Sequence, residues 1–159
     1  MKTLKRSIFI KSLLLILVVA FLGGCKKDSD GGSGGDMGSG KGTFTIKGNP
    51  YSGMCQSVPA TSGVSGNIDV IIASQSGASF TIYNMPTSSS GSSNVSNFDT
   101  DNAGFTDKLY AISIVNQSAS FYSLSGSVTK TGVKSYKFSV TMMDQTTNGQ
   151  TTATGSGNY

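Results

Sequence analysis

From Thr43 onward, apolar and polar side chains alternate with a period of two residues. This alternation places each set of side chains on its own face of an extended strand, and β-branched and aromatic residues fill the apolar positions. No stretch of about 10–12 residues has the apolar spacing of three and four that a helix shows. The pattern therefore predicts no substantial helix, and it predicts strands at residues 43–47, 67–73, 79–83, 109–115, 121–128, 134–142 and 150–157.

Short turns join the last three predicted strands. Residues 130–132 make the first turn, and residues 145–149 make the second, in which Asn148-Gly149 is a strong hairpin signal. These strands are expected to form an antiparallel meander. About seven to eight strands in residues 43–159 indicate one all-β domain, either an antiparallel β-sandwich or a small β-barrel. We favour the sandwich, and we expect residues 109–115, which are apolar on both faces, to form a central strand.

Residues 1–24 have the layout of a secretory signal peptide. A basic segment at residues 2–11 comes before an unbroken apolar run at residues 13–22. That run is too short to cross a bilayer as a helix, which takes about 20 apolar residues. The alternative is a short membrane anchor that also includes residues 8–10, although Lys11 and Ser12 interrupt this longer segment.

The apolar run ends in Leu22-Gly23-Gly24-Cys25, which resembles the lipobox of bacterial lipoproteins. The resemblance implies that a peptidase cuts before Cys25 after the Cys25 sulfur has received diacylglycerol, and that the new amino group is acylated. Two or more acyl chains make membrane attachment stable, since each buried methylene contributes about 0.8 kcal/mol. The start Cys25-Lys26-Lys27-Asp28 with its Gly/Ser-rich continuation is similar to lipoproteins of the Bacteroidota. This similarity implies attachment to the outer membrane, on its periplasmic face or at the cell surface.

Residues 25–42 are predicted to be the lipidated Cys and a flexible tether. The segment is rich in Gly and Ser, and Met37 is its only sizeable apolar residue, so it cannot bury enough surface to order itself. As a Gly-rich coil it spans roughly 20–25 Å. The predicted organisation is a signal peptide at residues 1–24, a tether at 25–42 and an all-β domain at 43–159.

The composition excludes several functional classes. The chain has no His and no Glu, which rules out triads that use His and zinc sites of the Cys/His type. Removal of the signal peptide takes four of the 12 basic residues and leaves eight, which balance the eight acidic residues, so the charge does not point to a nucleic-acid partner. Asp99 and Asp101 form a close carboxylate pair, but no third catalytic group accompanies them. We therefore predict that the protein is not an enzyme.

The acidic segment at residues 97–107 is a candidate Ca²⁺ loop. Hard cations bind several oxygen ligands on a short loop, and Asp99, Asp101 and Asp107 would supply carboxylates. The segment is not an EF-hand, because the Glu at the twelfth position of that loop is replaced by Tyr110. The alternative is a solvent-exposed loop with turns made by Asp and Asn, which is the commoner meaning of so partial a match. No other cofactor is predicted.

Cys55 has no partner within the chain if Cys25 carries lipid. We predict a buried, small apolar side chain, as free Cys often is. The alternative is an intermolecular disulfide in an oxidising compartment.

Two functions are consistent with these features. The first is a lipid-anchored, non-catalytic β domain that binds or docks to a protein or glycan partner in the envelope or outside the cell. The alternative is a small-molecule carrier, since barrels of about eight strands can hold one small ligand. Its cavity would be lined by Phe80, Ile82, Ile112, Ile114, Phe138 and Val140.

Overall fold

The strands of the described chain pair in antiparallel fashion throughout. The computed structural model describes residues 39–60, 64–87, 90–98, 108–115 and 119–159, which all lie in the unit Gly35–Tyr159. Its strands are β1 (Ser39–Ile46), β2 (Asn49–Pro59), β3 (Ile68–Ser74), β4 (Ser79–Met85), β5 (Gly91–Val95), β6 (Tyr110–Val115), β7 (Ala119–Lys130), β8 (Ser135–Asp144) and β9 (Gln150–Asn158). In this part of the chain there is no helix that is long and apolar enough to cross a membrane.

Eight of the strands close into a barrel. Their order is β7-β6-β4-β3-β2-β1-β9-β8, and β8 pairs with β7 to complete the ring. Closure gives each of these strands a neighbour on both sides, which removes the exposed edges of an open sheet. The predicted all-β domain is confirmed, and it is the small barrel rather than the favoured sandwich. The predicted meander is confirmed as β7, β8 and β9.

The ninth strand, β5, shares one edge of β7 with β6. Residues 119–122 of β7 pair with β6, and residues 126–130 pair with β5. Between these halves the register of β7 against β8 shifts at Ser123 to Ser125, and a bulge of this kind bends a strand. The Ser96 backbone N–H donates to the Leu109 carbonyl at 2.8 Å. β5 and β6 therefore pair with successive halves of the same edge of β7, and this hydrogen bond joins the end of β5 to the start of β6.

The outer surface of the barrel has a polar half and a covered half. On β1, β8 and β9, the exposed outward side chains are polar, mainly Lys, Ser and Thr, whereas the outer face of β2 also exposes Met54. On β3, β4, β6 and β7, several outward side chains are buried, namely Asp69, Ile71, Thr81, Tyr110 and Tyr122. Phe98 covers part of this half, with its ring centre 4.5 Å from that of Tyr122 and 5.9 Å from that of Tyr110. The cover explains why β6 is apolar on both faces, as predicted for a central strand.

Two strands, β2 and β5, were not predicted from the alternation. β2 contains Pro50 and Pro59, and Cys55 is its only fully buried residue, whereas the only apolar residue of β5 is Val95. A strand that contributes so few side chains to the core does not show a period of two.

The barrel begins earlier in the sequence than predicted. β1 starts at Ser39, so residues 39–42 of the predicted tether belong to the barrel wall. A Cβ atom on Gly42 would lie 2.7 Å from Cγ1 of Ile72, so this glycine permits close packing. The sequence does not distinguish a glycine in a tether from a glycine in a tightly packed strand. The predicted boundary between tether and domain therefore lies too late in the chain.

Candidate functional site at the terminal rim

The two rims of the barrel carry different parts of the chain. At one rim β1 begins, β9 ends, and the chain connects β2 to β3 and β7 to β8; we call it the terminal rim. At the opposite rim, turns connect β1 to β2, β3 to β4 and β8 to β9. Lys41, Lys130 and Lys134 lie at the terminal rim.

Aromatic side chains fill the interior between the rims. Phe80 stacks on Phe138 with ring centres 4.2 Å apart, and Phe44 lies 5.7 Å from Phe80. Phe138 is directly opposite Gly155, where a Cβ atom would lie 2.5 Å from a ring carbon of Phe138. The glycine therefore leaves the room that the ring occupies. An eight-stranded barrel is just wide enough for side chains to fill it, and in this chain rings do so.

Four of the six side chains predicted to line a carrier cavity lie in this interior: Phe80, Ile82, Phe138 and Val140. The prediction was wrong for Ile112 and Ile114, which lie half-buried on the outer face of β6. Ala111 and Ser113 face inward instead, directly opposite Ile82 and Phe80. The sequence of β6 is apolar on both faces, so its alternation did not decide which face points inward. Because Ile82 and Phe80 are large, the inward positions opposite them on β6 have room only for small side chains.

A polar depression of about 340 Å³ lies at the terminal rim. Hydroxyl, amide and ammonium side chains border it, from Lys41, Thr43, Thr131, Ser135, Ser156 and Asn158. The Lys41 backbone N–H donates to Oδ1 of Asn158 at 3.1 Å, which joins β1 to the end of β9. The depression thus offers several hydroxyl groups and one cation to a polar or anionic group.

Cys55 and Tyr136 form a buried polar pair next to this depression. The Cys55 Sγ atom lies 3.4 Å from the Tyr136 hydroxyl oxygen. Burial raises the pKa of the Cys55 thiol, and the hydrogen bond with Tyr136 offsets part of that rise. Burial also raises the pKa of Tyr136, and the adjacent thiol adds to the effect. A thiol that is kept protonated is a poor nucleophile, so the pair has a packing role.

The predicted burial of Cys55 is confirmed. Its side chain has no exposed surface, and its thiol is free. A sulfur atom with no exposure cannot reach a second chain without local unfolding, so the structure favours the buried thiol over the intermolecular disulfide.

A second polar cluster at the terminal rim is centred on Asn84. This residue has a φ of +61° in the left-handed region, where the pairing of β3 and β4 shifts register. Its Oδ1 accepts hydrogen bonds from Asn67 Nδ2 at 2.8 Å and from the Val64 backbone N–H at 3.1 Å. Its own backbone N–H donates to the buried carboxylate of Asp69 at 2.9 Å. These bonds hold the β2–β3 connection against the end of β4.

The charge of Asp69 also affects a tyrosine. Burial, and to a smaller extent the adjacent Asp69 carboxylate, raises the pKa of Tyr83 to about 12. The phenol is therefore neutral at ordinary pH.

The Asn84 cluster was not identified from the sequence. The only signal for Asn84 is that Asn tolerates left-handed backbone better than most residues.

At the opposite rim, Lys47 and Asp144 form an ion pair. Lys47 Nζ lies 2.5 Å from Asp144 Oδ2; the Asp144 side chain is 3% exposed and the Lys47 side chain is 49% exposed. Lys47 Nζ also lies 5.5 Å from the centre of the Phe121 ring. Asp144 Oδ1 accepts the backbone N–H of Thr146 at 2.8 Å. The lysine hydrogen bond first, and then the backbone N–H groups, lower the pKa of Asp144 from 3.8 to about 2.

Several predicted site residues lie outside the described residues. These are Cys25 and the candidate Ca²⁺ ligands Asp99, Asp101 and Asp107. Lipidation and the Ca²⁺ loop therefore remain predictions. Within the ranges that the structure describes, no three His, Cys, Asp or Glu side chains are grouped so that they could hold a metal ion. At the start of the acidic segment, the Phe98 backbone N–H donates to the Ser123 carbonyl at 2.9 Å, which attaches this end of the segment to β7.

Comparisons with known proteins give no match to a protein family, to a curated protein or to a solved structure. The function is therefore inferred from the residues and geometry of this chain.

Proposed function

We propose that the protein is a lipid-anchored outer-membrane lipoprotein whose barrel is a non-catalytic module that docks to a partner in the envelope or outside the cell. Acyl chains on Cys25 supply the anchor, and residues 26–38 connect it to β1. The lipobox at residues 22–25 supports the anchor. The partner is a protein or a glycan.

The observation that carries the docking role is the filled interior of the barrel. Phe44, Phe80 and Phe138 occupy the space in which a bound ligand would lie, and Gly155 lets the Phe138 ring lie against β9. Contact with a partner therefore falls on the outer wall and the rims. The exposed Ser, Thr and Lys side chains of β1, β8 and β9 supply donors and acceptors for peptide groups or sugar hydroxyls.

The alternative function, a carrier of a small molecule, shares the closed barrel, and the fold is compatible with it. A carrier of this shape needs the stacked rings of Phe80 and Phe138 to separate and make room. Their separation would break contacts in an interior that is normally packed as densely as an organic crystal. The docking role requires no such rearrangement, and we favour it over the carrier for this reason.

Detergent phase separation tests the anchor. We expect the wild-type protein from cells to enter the detergent phase with the mass of an acylated chain that begins at position 25. Cys25→Ser has no sulfur to acylate, so it should keep residues 1–24 and carry no acyl mass. Cys55→Ser is the matched control, since it removes the other thiol and keeps the lipidation site. An intact mass for the wild type that fits an unmodified polypeptide, or acyl mass on Cys25→Ser, would overturn the proposal.

A further inference from the structure

The lysines of the described chain concentrate at the terminal rim. The described residues contain six Lys and two Asp. Both Asp side chains are buried, since Asp144 pairs with Lys47 at the opposite rim and Asp69 accepts the Asn84 N–H. Lys41, Lys134 and Lys137 are exposed at or near the terminal rim, and none of them has a carboxylate partner in the described part of the chain. Because the chain from Cys25 onward is neutral overall, electrostatic attraction depends on this local placement.

Lys130 adds a fourth cation at the same rim. Its side chain lies at the end of β7, and its Nζ donates to the Thr87 carbonyl at 2.8 Å. The ammonium group is thus held at the mouth of the barrel beside the β7–β8 turn.

An exposed apolar side chain lies at the same rim as these lysines. Val133 is 89% exposed at the tip of the β7–β8 turn, next to Lys134. Val64, in the β2–β3 connection at the same rim, is 49% exposed. Single exposed apolar residues are common and need no explanation by themselves. Here the apolar tip is next to Lys134 in the chain and shares its rim with other lysines, and apolar and cationic side chains at one rim fit the boundary between headgroups and acyl chains.

The path of the chain brings the same rim to a membrane. β1 begins at this rim, so a chain that is anchored through Cys25 reaches the barrel here. The tether predicted from the sequence, residues 26–38, would span about 20 Å as a Gly-rich coil. A tether this short holds the rim at a high local concentration relative to the bilayer, so weak contacts suffice for docking.

We propose that the terminal rim docks on an anionic phospholipid surface, with Val133 at the acyl boundary and Lys41, Lys134 and Lys137 at the phosphate level. The proposal rests on the lipid anchor proposed above and adds the orientation of the barrel. The hydroxyl groups around the depression, from Thr131, Ser135 and Ser156, lie beside the β7–β8 turn and supply hydrogen bonds to a headgroup phosphate. The opposite rim then faces away from the membrane.

Vesicle sedimentation tests this docking separately from the anchor. The protein is the chain from position 25 onward with Cys25→Ser, which keeps every described strand and removes both the acyl chains and the apolar signal segment. We expect it to bind vesicles that contain phosphatidylglycerol more tightly than vesicles of phosphatidylcholine alone, and to be released at about 0.5 M salt, where charges are screened. Because this protein carries no lipid, its binding to vesicles does not depend on whether Cys25 is acylated in cells.

Variants assign the binding to the named residues. Each lysine replaced by Gln is expected to weaken binding about five-fold, and the triple variant of Lys41, Lys134 and Lys137 about 100-fold. Val133→Ser is expected to weaken it about five- to ten-fold. The matched control replaces the same three lysines by Arg, which keeps the charge and should keep the binding. Thermal unfolding of each variant confirms that the barrel is intact.

Two results would overturn the proposal. One is equal binding of the parent protein and the triple Gln variant to phosphatidylglycerol vesicles. The other is tighter binding to a DNA duplex or to an acidic polysaccharide than to the vesicles, with the same dependence on the three lysines, which would assign this surface to another class of macromolecule.

Discussion

At the scale of single residues, Lys47 and Asp144 connect two turns that are far apart in the sequence. Lys47 lies in the β1–β2 turn with a φ of +52°, and Asp144 ends β8. The Asp144 carboxylate accepts hydrogen bonds from Lys47 and from the backbone of its own turn, so it is held in its charged form. One ion pair therefore fixes both turns at the opposite rim.

The pair gives a prediction for the pH dependence of stability. The pKa of Asp144 is lower in the folded protein, at about 2, than the ordinary 3.8. A lowered pKa means that the charged form stabilises the fold, so its contribution is complete above about pH 5 and is lost as the pH falls toward 2. We expect the free energy of unfolding of the wild type to decrease more steeply over this window than that of Asp144→Asn. Urea unfolding at a series of pH values measures the difference.

Lys47→Gln is the control for the pH prediction. It removes the ammonium group and leaves the Thr146 and Thr147 N–H groups in place, so its dependence on pH should lie between those of the wild type and Asp144→Asn. Equal slopes for the wild type and Asp144→Asn would show that the carboxylate does not contribute in this way.

Sequence reasoning reached some of these residues and missed others for a physical reason. The burial of Cys55 followed from the chemistry of a free thiol, which is a local property. The ion pair of Lys47 with Asp144 depends on a fold that brings together residues 97 positions apart. No spacing pattern within one strand or turn reports a contact of that kind.

At the scale of elements, the glycines of β9 shape the interior. β9 contributes the small residues Ala153, Gly155 and Gly157, and the facing strand β8 contributes Val140, Phe138 and Tyr136. The pairing matches each large side chain with a small one, which lets the rings lie against the backbone of β9. The period of two identified β9 as a strand, and only the pairing with β8 shows why it is rich in glycine.

Gly155→Ala is expected to destabilise the barrel by about 1–3 kcal/mol, the usual cost of overpacking a core. The new Cβ atom would lie 2.2 Å from the Thr43 carbonyl oxygen and 2.5 Å from a Phe138 ring carbon, so the wall has to move. The matched control is Gly132→Ala, whose Cβ atom would lie at an ordinary 3.5 Å from Ser135. That variant should stay within about 0.5 kcal/mol of the wild type.

Urea unfolding of both glycine variants measures these changes in free energy. A Gly155→Ala protein as stable as the wild type would mean that the Phe138 ring is not confined by β9.

The elements also show where the alternation was informative. Strands that supply large side chains to the interior, such as β4 and β8, were predicted from the sequence. β2 was not, because Cys55 is its only fully buried residue and its sequence therefore shows no clear alternation. For β6 the strand was predicted correctly, but its inward face was not, since both faces carry apolar side chains and the outer face is itself partly covered.

At the scale of the whole molecule, the filled interior separates the two proposed functions. We expect the wild-type protein to take up no long-chain fatty acid or apolar dye at stoichiometric levels, because aromatic rings occupy the interior. Fluorescence titration measures the uptake. Binding of one fatty acid per chain with micromolar affinity would favour the carrier over the docking module.

Phe138→Ala is the positive control for the same titration repeated with a small apolar probe the size of benzene. The variant is expected to lose about 3–5 kcal/mol of stability and to leave an apolar cavity. A dry cavity of that kind binds small apolar molecules such as benzene. Binding by the variant alone would show that the assay detects a cavity when one exists.

The all-β class and the C-terminal meander followed from local patterns, whereas closure of the barrel did not. Closure depends on β8 pairing with both β7 and β9, and on a bend in β7 at Ser123 to Ser125. A bulge leaves little trace in the alternation of a Ser-rich strand. The choice between sandwich and barrel therefore required the structure.

The position of β1 between β2 and β9 has a mechanical consequence. Antiparallel hydrogen bonds lie perpendicular to the strands. A pull on Ser39 along the strand axis therefore loads the bonds to both neighbours together, in shear, whereas a strand peeled from a free edge loses its bonds one at a time. In the proposed arrangement, a force on a partner bound at the opposite rim would be transmitted through the barrel to the membrane. The domain would not unfold strand by strand from the point where the tether joins it.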